Sequence, residues 1–170
     1  MGSDSPEIRV GQIDGGLYVS VLGRATQRVC PTVDRVVSEF LGAHAAARVT
    51  IDLDGCAWVD STFAGWLLGL QRRIGRPGSL VRLAGCSERC RASLDRMQLC
   101  GFFEFCDAIA PPQTVVVPCP TTDRPDRDQL KLMLDAHEHL AGLGDSNARV
   151  FAPVVAALRK QLGLDAGPSR

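Results

Sequence analysis

Two kinds of hydrophobic pattern alternate along the N-terminal part of the chain. Short β-branched apolar runs are typical of strands, and apolar residues that recur every three or four positions are typical of amphipathic helices. Strands are predicted at residues 8–14, 17–22, 48–53 and 80–84, with a short apolar run at 56–59, and helices at about 26–45, 60–76 and 87–101. The first two strands flank Gly15 and Gly16, which is a hairpin signal. The order β-β-α-β-α-β-α predicts a sheet that contains parallel pairs and is covered by helices.

The C-terminal part follows a different pattern. A proline-rich segment is expected to be extended, and two apolar stripes at helical spacing then predict an αα-hairpin. Asp145 or Ser146 is the candidate cap of the second hairpin helix. The hairpin is too small to bury both stripes alone, so we expect it to dock on the main domain or on a partner. The predicted divisions are a domain at 1–110, a linker at 111–125, the hairpin at 126–164 and a tail at 165–170.

Composition and charge narrow the functional classes. The 170 residues are 45% hydrophobic and 22% charged, which fits one globular domain with a small extension. Lys and Arg total 19, as do Asp and Glu, so the formal net charge is zero and we expect no nucleic-acid partner. The sequence has no apolar run of about 20 residues and no secretory signal pattern. We therefore expect a cytoplasmic protein without membrane insertion.

The scattered cysteines and histidines favour structural roles. Seven cysteines, an odd number without a secretory signal, argue against a disulfide framework and are expected to be mostly buried. Cys86 and Cys90 lack a second Cys or His pair at ligand spacing, so neither a metal nor a cofactor is expected. His137 lies on the apolar stripe of its helix and is expected to be packed, whereas His139 is expected to be solvated.

The most specific segment is V-T-I-D-L-D-G-C-A-W-V-D-S-T, residues 49–62. A strand ends, a short turn follows, and Asp60, Ser61 and Thr62 open a helix. Each of these side chains has an oxygen that can accept the unpaired N–H bonds of a first helical turn. Helix capping alone is therefore one complete interpretation of the triplet.

At these residues the chain resembles the STAS domain family, whose best-known members are bacterial anti-sigma-factor antagonists. The resemblance covers about residues 8–108 and continues through L-V-R-L-A-G and S-L-D-R-M-Q-L. It implies an α/β fold, a mixed β-sheet flanked by helices, here with the αα-hairpin added, and a protein that is not an enzyme. In the antagonists an ATP-dependent kinase, itself the anti-sigma factor, phosphorylates the serine that follows the aspartate.

Carried over to this chain, the resemblance implies Ser61 as the phosphoacceptor, Thr62 as a backup hydroxyl and Asp60 as the flanking cap. Phe63, which stands where the family usually has glycine, and Trp66 are candidate partner-binding residues. Arg24 is the candidate partner of a phosphate on Ser61. A phosphate at a helix N-terminus is stabilised by the helix dipole, so the fold persists. It repels an acidic partner surface, so phosphorylation switches partner binding off.

The sequence therefore predicts a phosphorylation-switched interaction module in a partner-switching pathway. Its expected partners are a Ser/Thr kinase of the anti-sigma type and a cognate phosphatase, and a homodimer is among the candidate assemblies. Two alternatives stay open. One is an unphosphorylated scaffold, as in a stressosome or beside a transporter, and the other is a small-ligand or lipid binder with an apolar pocket under the hairpin.

Overall fold

A computed structural model describes residues 5–45, 47–75, 77, 79–120 and 124–165. The strands are β1 (Glu7–Ile13), β2 (Gly16–Ala25), β3 (Arg48–Asp52), β4 (Cys56–Val59), β5 (Leu80–Ala84), β6 (Glu104–Cys106) and β7 (Thr114–Val117). The helices are α1 (Cys30–Ala43), α2 (Ser61–Ile74), α3 (Glu88–Arg96), α4 (Arg127–Ala141) and α5 (Asp145–Leu162), with a 3-10 turn at Cys100–Phe102. The predicted mixed α/β fold with a C-terminal helical pair is confirmed.

The strands form one mixed sheet in the order β6-β5-β3-β2-β1-β7. β1 is antiparallel to β2 and β7, while β2, β3, β5 and β6 are parallel neighbours. The long strand β2 has a second parallel partner, because its last part, Gly23–Ala25, pairs with β4. This second pairing brings the end of β4, and hence the start of α2, beside the end of β2.

The core lies between the sheet and the helices that cross it. α2 contributes a broad buried face, since its apolar residues recur at helical spacing, and α3 begins at a Ser87 side chain that accepts the Cys90 N–H. The seven cysteines, all within the described ranges, carry free thiols, and three of them are buried. The expectation that most of them are buried is wrong, since the other four are half-buried.

The α4–α5 hairpin packs on α2. α4 starts with a capping box, in which the Asp126 side chain accepts the Gln129 N–H and the Gln129 side chain accepts the Asp126 N–H. Leu134 of α4 and the α5 residues Leu158 and Leu162 form a small hydrophobic cluster between the two helices. The rest of the inner face of α4 lies against α2, so the hairpin docks on the main domain within the same chain.

Three details differ from the sequence-based expectations. The predicted cap of α5 at Asp145 or Ser146 is wrong, because Gly144 occupies the N-cap position with φ +152 and both residues lie inside the helix. Val154 of the second apolar stripe is exposed. The proline-rich segment, expected to be a linker, supplies the edge strand β7. Of the predicted tail, residues 166–170 lie outside the described residues.

Candidate functional site

Asp60 connects the start of α2 to the end of β2. Its backbone N–H donates to Ala25 O at 2.9 Å, and its carboxylate accepts N–H bonds from Phe63 at 2.7 Å and from Gln27 at 2.9 Å. Burial raises the pKa of this carboxyl above its ordinary value, although the two N–H bonds act in the opposite direction. Asp60 is therefore the helix cap that the sequence predicted, and it also holds the loop after β2.

Ser61 is the first residue of α2 and is half-buried, and its hydroxyl makes a hydrogen bond across to α4. The Ser61 Oγ lies 3.0 Å from His137 Nε2, and His137 Nδ1 lies 2.7 Å from Met133 O. Because a carbonyl oxygen can only accept, Nδ1 carries the hydrogen, and the lone pair of Nε2 accepts from the serine hydroxyl. Ser61 is thus a donor to a buried imidazole.

The neighbouring candidates lie deeper in the fold. Thr62 is 3% exposed and Phe63 is fully buried within the main hydrophobic core. Trp66 is 6% exposed, and its Nε1 donates to Asp34 Oδ1 on α1 at 2.9 Å. The expectation that Phe63 and Trp66 contact a partner does not fit this burial, since both side chains pack within the molecule.

Arg24 lies on the part of β2 that leads to the site. Its side chain is exposed, and it pairs in register with Trp58 of β4. The next residue, Ala25, accepts the Asp60 N–H. Arg24 therefore directly precedes, on β2, the residue that binds the N-terminal end of α2.

Sequence reasoning missed the close contact between α2 and α4. A Cβ added at Gly65 would overlap the backbone of Ala136, lying 2.9 Å from its Cα and closer still to its carbonyl group, so the two helix backbones touch here. The pattern of small residues Gly65 and Gly69, four apart on one helix face, was the available signal for such a contact.

His139 is part of the same contact, so its predicted solvation is wrong. Gly69 leaves room for its ring, from which an added Cβ would be 2.9 Å away. Arg72 Nη1 lies 3.0 Å from His139 Nδ1 and donates to it, since a guanidinium has no acceptor. Burial, together with the Arg72 charge, lowers the pKa of His139.

A cavity of about 850 Å³ opens between α1, α2 and α4. Trp66, Leu70, Leu132 and Ala136 contribute apolar wall, and charged side chains such as Arg72 surround it. Within the described ranges, no cluster of three or more His, Cys, Asp or Glu side chains is placed to hold a metal ion. The described helices also include none that is long and apolar enough to span a membrane.

The chain matches the STAS domain over residues 8–111, which is more than half of its length. It belongs to the STAS domain family. Ser61 and its cap lie inside the matched residues, whereas α4 and α5 lie beyond them. A search of curated protein sequences found no match.

Solved structures agree with this assignment at the level of the fold. The NMR structure of the protein TM1081 has a TM-score of 0.52 and 16% identity, over 58% of this chain and 79% of that one. RsbS of Moorella thermoacetica, in a variant with one serine replaced by glutamate, has a TM-score of 0.51 and 16% identity, over 59% and 86%. At this identity the likeness concerns the fold alone.

Proposed function

We propose that the protein is a phosphorylation-switched interaction module of the anti-sigma-factor-antagonist type, with Ser61 as the phosphoacceptor. The observation that carries this proposal is the position of Ser61, a half-buried serine at the first residue of α2, directly after the capping Asp60. Thr62, the backup hydroxyl, is buried, which favours Ser61 of the two. Membership in a family of regulatory, non-enzymatic domains supports the same function.

Electrostatics explains how a phosphate at Ser61 acts as a switch. It adds roughly −1.5 to −2 charges at a helix N-terminus, where unpaired N–H groups and the helix dipole stabilise an anion. The fold therefore persists. The added charge lies beside the Asp60 carboxylate, so the surface becomes strongly negative and repels an acidic partner. Arg24 is the candidate cation that pairs with the phosphate.

The proposed partners are a Ser/Thr kinase of the anti-sigma type and a cognate phosphatase. The direct test is phosphopeptide mass spectrometry on the protein isolated from its source, with residues 60–62 resolved. A parallel pull-down compares four baits: wild type, Ser61→Ala, Ser61→Asp and the matched control Ser146→Asp. Ser146 is an exposed serine in the first turn of α5, so it receives the same charge in a similar helical position.

Phosphate on Ser61, together with a kinase that all baits except Ser61→Asp retain, is the expected result. Unmodified Ser61 and identical partners on the four baits would contradict the proposal. In that case Asp60 and Ser61 only begin a helix, and the unphosphorylated scaffold becomes the better description.

The cavity between α1, α2 and α4 favours a second candidate function, the binding of a small apolar molecule. Its volume of about 850 Å³ is in the usual range for ligand pockets, and its walls are mainly apolar. Mass spectrometry of an organic extract of freshly purified protein tests this function. A ligand that is retained by wild type and lost from Leu132→Trp, which narrows the cavity, would support it. An extract without such a compound would oppose it.

A further inference from the structure

The hairpin occupies the face of α2 that begins at the proposed phosphoacceptor. Ser61, Gly65 and Gly69 are spaced four residues apart and therefore lie on one stripe of α2. Along this stripe the His137 ring meets Ser61, the backbone of Ala136 touches Gly65, and the His139 ring packs on Gly69. A protein that binds the surface around Ser61 therefore contacts α4 as well.

Phosphorylation of Ser61 removes the hydrogen bond at one end of this contact. The phosphoryl group replaces the hydroxyl hydrogen that His137 Nε2 accepts, so acceptor oxygens come to face the lone pair of the ring. The larger anionic group must also fit where Oγ and Nε2 are 3.0 Å apart. The buried His137 ring loses its donor, and a negative charge is added beside Asp60, so both changes weaken the docking of α4.

The hairpin has a small hydrophobic cluster of its own, which keeps its two helices packed on each other when α4 moves off the stripe. Leu134, Leu158 and Leu162 hold α4 and α5 together in a cluster of their own, distinct from the main core. The N-terminal half of α5 is tied to the domain, because Asn147 Nδ2 donates to Met97 O at 3.0 Å and Phe151 joins the main core. The internal cluster contains no residue of α2, so α4 can move off the stripe while its packing on α5 and the attachment of α5 persist.

We propose that the α4–α5 hairpin competes, within the same chain, for the Ser61 face of α2, so that the docked hairpin and a phosphate on Ser61 exclude each other. This inference rests on Ser61 being the phosphoacceptor. The coupling is reciprocal, as for any two linked equilibria. A docked hairpin opposes phosphorylation, and a phosphorylated Ser61 opposes docking. The hairpin thereby sets how readily the site enters the phosphorylated state.

Hydrogen–deuterium exchange on the full chain tests the exclusion without any kinase. Phosphoserine is installed at position 61 by genetic-code expansion, and the matched control carries phosphoserine at position 146. Gly65→Ala, whose added Cβ overlaps α4, provides the reference for an undocked hairpin, and Ala136→Leu replaces it if Gly65→Ala does not fold. Amides of β3 and β5 report whether the main domain stays folded.

We expect phosphoserine at 61 to increase the amide exchange rates of residues 127–141 by roughly tenfold or more, towards the rates of the reference variant. The exchange rates of β3 and β5 should not change. Phosphoserine at 146 should leave this exchange unaltered. Equal or slower exchange in α4 with phosphoserine at 61 would overturn the proposal, including the case in which the His137 ring binds the phosphate. That exchange result would not affect the proposal that Ser61 is the phosphoacceptor. Conversely, if the protein isolated from its source carried no phosphate, the proposed function would fail, but the measured exclusion between phosphoserine and the docked hairpin would stand.

Discussion

At the scale of single residues, one carboxylate organises the site. Asp60 accepts the N–H groups of Phe63 and Gln27, so the first turn of α2 and the loop after β2 share one cap. Burial raises the pKa of its carboxyl. The native state therefore binds the proton more readily than the unfolded chain, and this contribution to stability is present at low pH and lost as the pH rises through the native pKa.

We expect Asp60→Ala to lower the free energy of unfolding by about 1–2 kcal/mol, because the helix loses its cap. Asp60→Asn should cost less, since its amide oxygen still accepts the N–H bonds. Wild type should also gain stability relative to Asp60→Asn as the pH falls from about 7 towards the ordinary aspartate pKa of about 3.9. Urea unfolding of the three proteins at several pH values measures both effects, and an Ala variant as stable as wild type would contradict the cap.

Residue chemistry also explains which parts of the site could be predicted from the sequence. Asp60 and Ser61 were predictable because capping is local, and three adjacent polar residues before an apolar period indicate a helix start. The bond between Ser61 and His137 spans 76 positions and depends on how the hairpin docks. Its only signal was that His137 lies on an apolar stripe, which predicts packing but not a partner.

At the scale of elements, the contact between α2 and α4 depends on a missing side chain. Gly65 allows the backbone of Ala136 to approach α2, and a Cβ there would overlap it. Gly42, in the last turn of α1, has no atom near an added Cβ. These two helical glycines therefore form a pair in which an added Cβ meets another helix at Gly65 and open space at Gly42.

Gly65→Ala should lower the free energy of unfolding by about 1–3 kcal/mol, because the added methyl overpacks the helix contact. Gly42→Ala should raise it by about 0.5–1 kcal/mol, because alanine restricts the unfolded chain and favours a helix. Urea unfolding of the two variants beside wild type measures the difference. A stabilising effect of both substitutions would show that α4 does not press on Gly65.

Element boundaries show where local patterns are insufficient. β7 lies in a segment whose prolines favour a linker, yet Thr114–Val117 is a short β-branched run that pairs with β1 at the sheet edge. Edge strands tolerate nearby prolines, so proline content alone does not exclude a strand. At α5 the acidic and hydroxyl residues favoured as caps lie in the first turn, because Gly144 accommodates the positive φ of the N-cap.

At the scale of the whole molecule, the segment after the STAS match returns to the domain at two places. β7 extends the sheet beside β1, and α4 covers the Ser61 stripe of α2. His139 contributes to the second place, since its ring packs on Gly69 and accepts a hydrogen bond from Arg72. The docking of α4 is therefore linked to the protonation of this ring.

The sign of this linkage follows from the pKa of His139. Burial and Arg72 lower the pKa in the docked state, while Asp135 and Glu138 on α4 act in the opposite direction and only reduce the shift. An undocked, solvated ring has an ordinary pKa of about 6.5 and binds the proton more readily. Docking is thus strongest above about pH 6.5 and weakens as the pH falls through that value towards the lowered pKa.

Trp66, which lines the cavity beside α4, reports this change when Trp58 is replaced by phenylalanine. We expect acrylamide to quench Trp66 more strongly at about pH 6 than at about pH 8, because protonation of His139 favours the undocked hairpin and exposes the indole. Trp58→Phe with His139→Gln should show a smaller change, since glutamine retains an acceptor for Arg72 but does not titrate. Quenching that stays constant or decreases on acidification in the Trp58→Phe protein would show that His139 does not link protonation to docking.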